Sequence, residues 1–259
     1  VATNLNGGEL PKSDRPTDLE RDWASIAAPK NLLLKFPGTA GRAERSSPFP
    51  ANLIARRTGA GESETAAASS DHDETWTWNP PGYGGSSGRA NLQTLMPAAE
   101  SFASRILARR LGEQTRVWIC GNSLGCLPAL SLASRFEDWL PDRTPGDRVA
   151  LWLRNPPDLA EVVLRIADRY AARFWMRRVV SKLPPTLDAI DSASRCWIPA
   201  VFLMSDRDTL VPPVLQRRVH DAYAGDHHLV TLTGLGHAGA IEERHRSDVE
   251  NAVDWLVGL

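Results

Sequence analysis

Residues 117–130 read VWICGNSLGCLPAL. Four apolar residues lead into Gly121, Ser123 sits midway between Gly121 and Gly125, and a further apolar run begins at once. A short apolar run ended by glycine reads as a buried strand, and the run after Gly125, with Pro128 near its start, reads as a helix. The pattern G-x-S-x-G alone is weak, since about one chain in ten of this length carries it by chance. Between a strand and a helix it gains meaning. A sharp strand-to-helix turn holds its central side chain out for chemistry, and the glycines allow a close backbone approach that a Cβ would block. The helix N-terminus then points partial positive charge at Ser123, which favours a developing oxyanion. The plain alternative is a serine that only fills a tight turn, so the rest of the chain must decide.

Outward from this stretch, strand and helix patterns alternate. Strand-like runs lie at 31–36, 75–78, 115–121, 148–154, 199–205 and 228–232. Helical spacing covers 49–57, 91–111, the residues from Ser123 to about 136, 158–182, 186–194, 212–223 and about 240–257. Most of the strands are continuous apolar runs, so both of their faces are covered. That predicts an α/β fold: a mostly parallel central sheet with helices on both faces, and sites at the C-terminal strand ends. No repeat and no internal boundary appears, so 1–259 reads as a single domain. Residues 1–18, rich in Pro, Gly, Asp and Asn, read as an extended arm. Residues 58–74, small and polar, read as a surface loop. The segment 155–196 is too long for a simple crossover and reads as a small helical cap.

Composition narrows the function. A chain of 259 residues, 42% hydrophobic and 24% charged, can bury a large core without disulfides or metals. A net charge of -1 gives no overall pull toward nucleic acid or an anionic membrane. No run approaches the length of a membrane span, and the polar N-terminus has no signal-like apolar core. Three cysteines, read as reduced, fit a cytoplasmic protein. Cys120 and Cys126 do not form C-x-x-C, so no metal is expected. The run GYGGSSG (82–88) lacks a Walker lysine and dinucleotide spacing, so no cofactor is expected.

A serine hydroxyl needs a base, and the base needs an acid to orient it. VFLMSDRDTLVPP (201–213) sets Asp206 and Asp208 just past a strand, and VTLTGLGHAGAI (230–241) sets His237 just past the next, between glycines. The bland readings stay open: His237 as a loop residue capping a helix, and Asp208 as a surface carboxylate with Asp206 the acid. The histidines at 72, 220, 227, 228 and 245 read as solvated. Trp76, Trp118 and Trp152 read as core.

In the order Ser, Asp, His, with KFPGTAG, PPGYGGS, GNSLG, SDRDTLVPP and GLGHAG in sequence, the chain from about residue 28 resembles the α/β-hydrolase superfamily. The resemblance implies Ser123 as nucleophile, His237 as general base and Asp208 as acid, with Ser205 at the family's usual glycine position and Asp206 a neighbour. It implies an oxyanion hole from the backbone N–H groups of Leu124 and Thr39, with Gly38 beside the substrate. The family's His-Gly pair is replaced here by Pro37-Gly38, so the loop must be supported differently. Asn79 stands where many relatives carry Asp, usually a structural position. The cap falls between strands 6 and 7 of that fold. On its expected helix an apolar stripe with Tyr170 and Phe174 is assigned to substrate, beside a basic stripe of Arg165, Arg169, Arg173 and Arg177. The implied function is a metal-free serine hydrolase acting on a small-molecule ester or thioester. Two other classes stay open: a thioesterase or acyl transferase taking its substrate from coenzyme A or an acidic carrier, and a non-catalytic ligand-binding member.

Overall fold

Alternate residues of each apolar run face opposite ways, and that alternation organises the molecule. The computed structural model describes residues 2–4, 27–39, 41–59, 72–139 and 148–259. Its strands are β1 (Ala2–Asn4), β2 (Asn31–Phe36), β3 (Asp73–Thr77), β4 (Arg116–Asn122), β5 (Val149–Arg154), β6 (Ala200–Ser205) and β7 (His227–Leu232). They form one sheet in the order β1-β3-β2-β4-β5-β6-β7. Only β1 runs antiparallel, so the expected mostly parallel sheet is present. The helices among the described residues are α1 (Ala51–Thr58), α2 (Leu92–Arg110), α3 (Cys126–Ala133), α4 (Phe136–Trp139), α5 (Leu159–Asp168), α6 (Arg173–Val180), α7 (Ala189–Ser194), α8 (Pro213–Asp221) and α9 (Arg246–Gly258).

Leu32, Leu34, Val117, Ile119, Leu151, Leu153 and Phe202 pack with α2, α3, α7 and α8. Leu33, Trp118, Ala150, Trp152, Val201 and Leu203 pack with α1 and α9. Each central strand therefore feeds two cores, which is why it reads as unbroken apolar sequence rather than as alternation. Burying each large aliphatic side chain contributes about 1.5–3 kcal/mol. At the other end of the strands lies a buried polar network. Asn31 Nδ2 donates to Asp73 Oδ1 (2.7 Å), and Trp118 Nε1 donates to Asn31 Oδ1 (3.0 Å).

Several expectations change. The helix expected over 158–182 is two helices. Ala171 takes a φ of 53°, and Ala172 N–H folds back onto Ala167 O, which ends the first helix and turns the chain before the second. The arginine stripe is therefore not continuous. Arg173 turns back to Asp168 (2.5 Å) and Glu161 (3.6 Å). None of α6 is buried, and Tyr170 and Phe174 are 78% and 77% exposed. His72 and His245, read from sequence as solvated, are both buried. His72 lies 3.3 Å from Glu74, and His245 donates from Nε2 to Thr233 O and accepts from Glu242 N–H. Most of the 1–18 arm lies outside the described residues; its residues Ala2–Asn4 pair with β3. Of the 58–74 loop, 60–71 lie outside them too, while Asp73 and Glu74 belong to β3.

Candidate active site

The site grows from the end of β4. Asn122 closes the strand, residues Ser123–Gly125 make a single tight turn, and α3 begins at Cys126. Ser123 has a φ of 52°, a left-handed conformation that costs a non-glycine residue about 1–3 kcal/mol. Two glycines make the turn possible. A Cβ on Gly125 would stand 2.0 Å from Phe36 O, and one on Gly121 2.7 Å from Cys126 Cα. The turn is thus wedged between the end of β2 and the start of α3.

His237 follows β7 on a loop between Gly236 and Gly239. Its Nε2 lies 2.8 Å from Ser123 Oγ and its Nδ1 2.6 Å from Asp208 Oδ2. A carboxylate beside Nδ1 requires the proton there, which leaves Nε2 free to accept from the serine hydroxyl. Asp208 is held from all sides. Its Oδ1 accepts from the N–H groups of Leu210 and Val211, both at 2.9 Å, and its Oδ2 also accepts from Gln216 Nε2 at 3.2 Å. Asp206, the other candidate acid, turns elsewhere: its Oδ1 accepts from Gly234 N–H at 2.6 Å and ties the β7 loop to the end of β6.

Two residues that sequence reading passed over hold this arrangement. Asn155, fully buried and at a φ of 52°, donates from Nδ2 to His237 O (3.1 Å) and accepts at Oδ1 from Ser205 N–H (3.0 Å). It links the ends of β5 and β6 to the histidine loop. Its signal was an Asn directly after a strand and before Pro-Pro. Gln216, on α8, ties Asp208 to Val211 O. Asn79 is structural, accepting from Ala43 N–H at Oδ1 (2.7 Å) and donating to Glu44.

Gly38 lies against Ser123: a Cβ there would be 3.0 Å from Ser123 Cβ and 3.6 Å from its Oγ. Gly38, Thr39, Leu124 and Gly125 line one edge of an apolar cleft of about 160 Å³, walled by Trp78 and Leu95. A second cavity of about 500 Å³ opens on the other side of the sheet, bounded by Asn122, Arg154 and the loop after His237. Cys120 and Cys126 flank the turn, and burial raises both thiols, Cys120 to about 12, so neither supplies a thiolate at neutral pH. Among the described residues no three His, Cys, Asp or Glu side chains come together as a metal ion would need.

A hydroxyl, an imidazole and a buried carboxylate in series, beside a cleft edged by backbone amides, can move a proton and attack an electrophilic carbonyl. No family model matches the chain. Solved structures do resemble it. Est1E from Butyrivibrio proteoclasticus, solved with ferulic acid bound, superposes with a TM-score of 0.58 at 18% identity, over 100% of this chain and 94% of its own. A structure from the study of the metagenome-derived lipolytic enzymes LipS and LipT gives 0.58 at 13% identity, over 90% of this chain and 96% of its own. The monoacylglycerol lipase of Paleococcus ferrophilus gives 0.53 at 19%, over 90% and 96%. At such identities the likeness is one of fold.

Proposed function

The chain has the α/β-hydrolase fold, and on that premise we propose that it is a serine hydrolase cleaving a carboxylic ester or thioester through an acyl-enzyme on Ser123. The observation that carries this reading is the hydrogen-bonded series Ser123–His237–Asp208, built on a strained turn. A merely structural turn serine needs neither a left-handed backbone nor an oriented imidazole.

In this reading Ser123 Oγ attacks the carbonyl carbon while His237 Nε2 takes its proton. The carbonyl oxygen, now an oxyanion, is held by the N–H groups of Leu124 and Thr39. Asp208 stabilises the imidazolium and fixes the ring's orientation. The imidazolium then returns the proton to the departing alkoxide or thiolate. Water, deprotonated by His237, attacks the acyl-enzyme and frees the acid. The similar fold of esterases and lipases supports the reaction class. Three buried, free cysteines support a reducing compartment, so we assign the protein to the cytoplasm.

One observation favours a thioester on coenzyme A or an acidic carrier as a second reading. Arg165, Arg169, Arg177 and Arg178 are exposed on and around α5 and α6, without ion-pair partners among the described residues. A panel of p-nitrophenyl esters of graded length, run beside acyl-CoAs, tests both. The proposal expects ester turnover by the wild type and a loss of several orders of magnitude in Ser123→Ala, because the three residues act as a unit. More than a tenth of wild-type turnover in that variant would remove Ser123 from its role.

A further inference from the structure

Two unlike cavities border the turn that carries Ser123, one reached by Leu124 and Gly125 and the other by Gly121 and Asn122. On the α2–α3 side lies the small apolar cleft. On the other side, Lys35, Arg42, Arg45 and Arg154 all line the larger cavity, and among the described residues no carboxylate does. Strand register places the inner pair. Lys35 on β2 pairs with Cys120 on β4, which pairs with Trp152 on β5, and Arg154 stands two residues further along β5, opposite Asn122. Cys120 and Trp152 belong to the α1–α9 face of the sheet. Period-two alternation puts Lys35 and Arg154 on that face as well.

The charge there is poorly compensated. None of the four cations forms an ion pair with a described carboxylate. Lys35, nine-tenths buried, donates to Ser47 O and to no other described residue. Arg154 donates to Gly239 O, two residues past His237, while its buried Nε has no partner among the described residues. Burial lowers both cations from their ordinary values, Cys120 weakly opposing this for Lys35 and Asp208 for Arg154. Asp208 is the acid nearest in effect, yet its oxygens already accept from Leu210, Val211, Gln216 and His237. Glu44, the acid closest in sequence to Arg42 and Arg45, accepts from Asn79 instead. A half-buried guanidinium at the cavity wall, with no carboxylate partner among the described residues, is a ready partner for a planar oxyanion. Part of the wall between the cations is apolar: Phe49 packs edge-on against Trp152 with ring centroids 5.7 Å apart, beside Ser46, Ser47 and Asn122.

We propose that this cavity is a subsite for an anionic oxygen group, a carboxylate or phosphate, carried on a short apolar chain by the ester that Ser123 cleaves. The proposal rests on the hydrolase reading for its chemistry and on the cavity alone for its ligand. It gives the enzyme a substrate class: esters with an apolar portion in the small cleft and an acidic tail in the large one.

The test compares 4-nitrophenyl hydrogen glutarate, whose tail is a carboxylate, with its neutral methyl ester, in the intact wild-type protein and in two variants. One is Arg154→Gln. The other is the double change Arg42→Gln with Arg45→Gln, which keeps the test alive should loss of the Gly239 contact disturb the histidine loop. Calorimetric binding of glutarate and of phenyl phosphate runs alongside and separates the carboxylate from the phosphate. The wild type should favour the acidic ester by about tenfold in kcat/KM, as a charge-assisted contact gives. That ratio should fall in both variants and at high salt, and glutarate, phenyl phosphate or both should bind the wild type more tightly than either variant. A ratio near one in the wild type, or one unmoved by both variants, overturns the subsite while turnover of the methyl ester keeps the hydrolase reading. Binding weakened by the variants, with neither ester turned over, upholds the subsite and sinks the hydrolase reading instead.

Discussion

Asp206 and Asp208 differ by two positions and do different work. Asp208 reaches His237, and four donors fill its oxygens. Asp206 braces the loop that carries His237 through Gly234. Asp208→Asn removes the acceptor that holds the Nδ1 proton, so the ring loses its working tautomer. We expect a loss of roughly 10³–10⁴ in kcat. Asp206→Asn keeps an amide oxygen able to accept from Gly234 N–H, and the expected loss is about tenfold or less. Steady-state kinetics on a p-nitrophenyl ester compares them, and a greater loss from Asp206→Asn would reverse the assignment. The three residues Ser123, Asp208 and His237 were legible in sequence because each follows an apolar strand in a loop marked by glycine or proline. Asn155 and Gln216 were not. They act through hydrogen bonds between distant segments, and neither residue type carries chemistry that a local pattern announces.

At the level of elements, β3 sets two neighbouring acids against each other. Burial would raise both. Glu74 receives hydrogen bonds from His72, Arg110 and Trp76, which reverse the effect and hold it down at about 2. Asp73 is satisfied only at Oδ1, by Asn31, and burial raises it to about 6. An acid raised in the folded state keeps its proton between 3.8, its unfolded value, and about 6. The folded form then binds more protons than the unfolded one, so stability falls as pH rises through that window, with the full penalty above it. Asp73→Asn cannot ionise. Its stability relative to wild type should rise by on the order of 2–3 kcal/mol from pH 4 to pH 7. Urea unfolding at both pH values measures this, and a difference that does not change with pH would show that Asp73 does not titrate as described. The elements themselves were largely legible, most clearly where an apolar run is bounded by glycine or proline. The break between α5 and α6 was hidden. Residues 158–182 hold no proline or glycine, and Ala171 at a positive φ has no sequence signature.

Across the whole molecule, the doubly covered sheet was readable because the four central parallel strands β2, β4, β5 and β6 carry apolar residues on both faces. What escaped was the use of charge in three dimensions. The arginines at 165, 169, 173 and 177 drew notice by their spacing, yet they are divided between two helices and the turn joining them, with Arg165, Arg169 and Arg177 exposed and Arg173 turned back to Asp168 and Glu161. The cations that face the site, Lys35, Arg42, Arg45 and Arg154, come from separate strands and loops, and only the fold brings them into one cavity. The central claim is narrower than that charge pattern: Ser123 becomes acylated. Mixing the protein with a fluorophosphonate, or with p-nitrophenyl acetate quenched in acid within one turnover, and mapping the adduct by peptide mass spectrometry tests it directly. The account predicts one adduct per chain, on the peptide containing Ser123, and none in Ser123→Ala. An adduct on another residue, or turnover by the wild type with no adduct on Ser123, would contradict it.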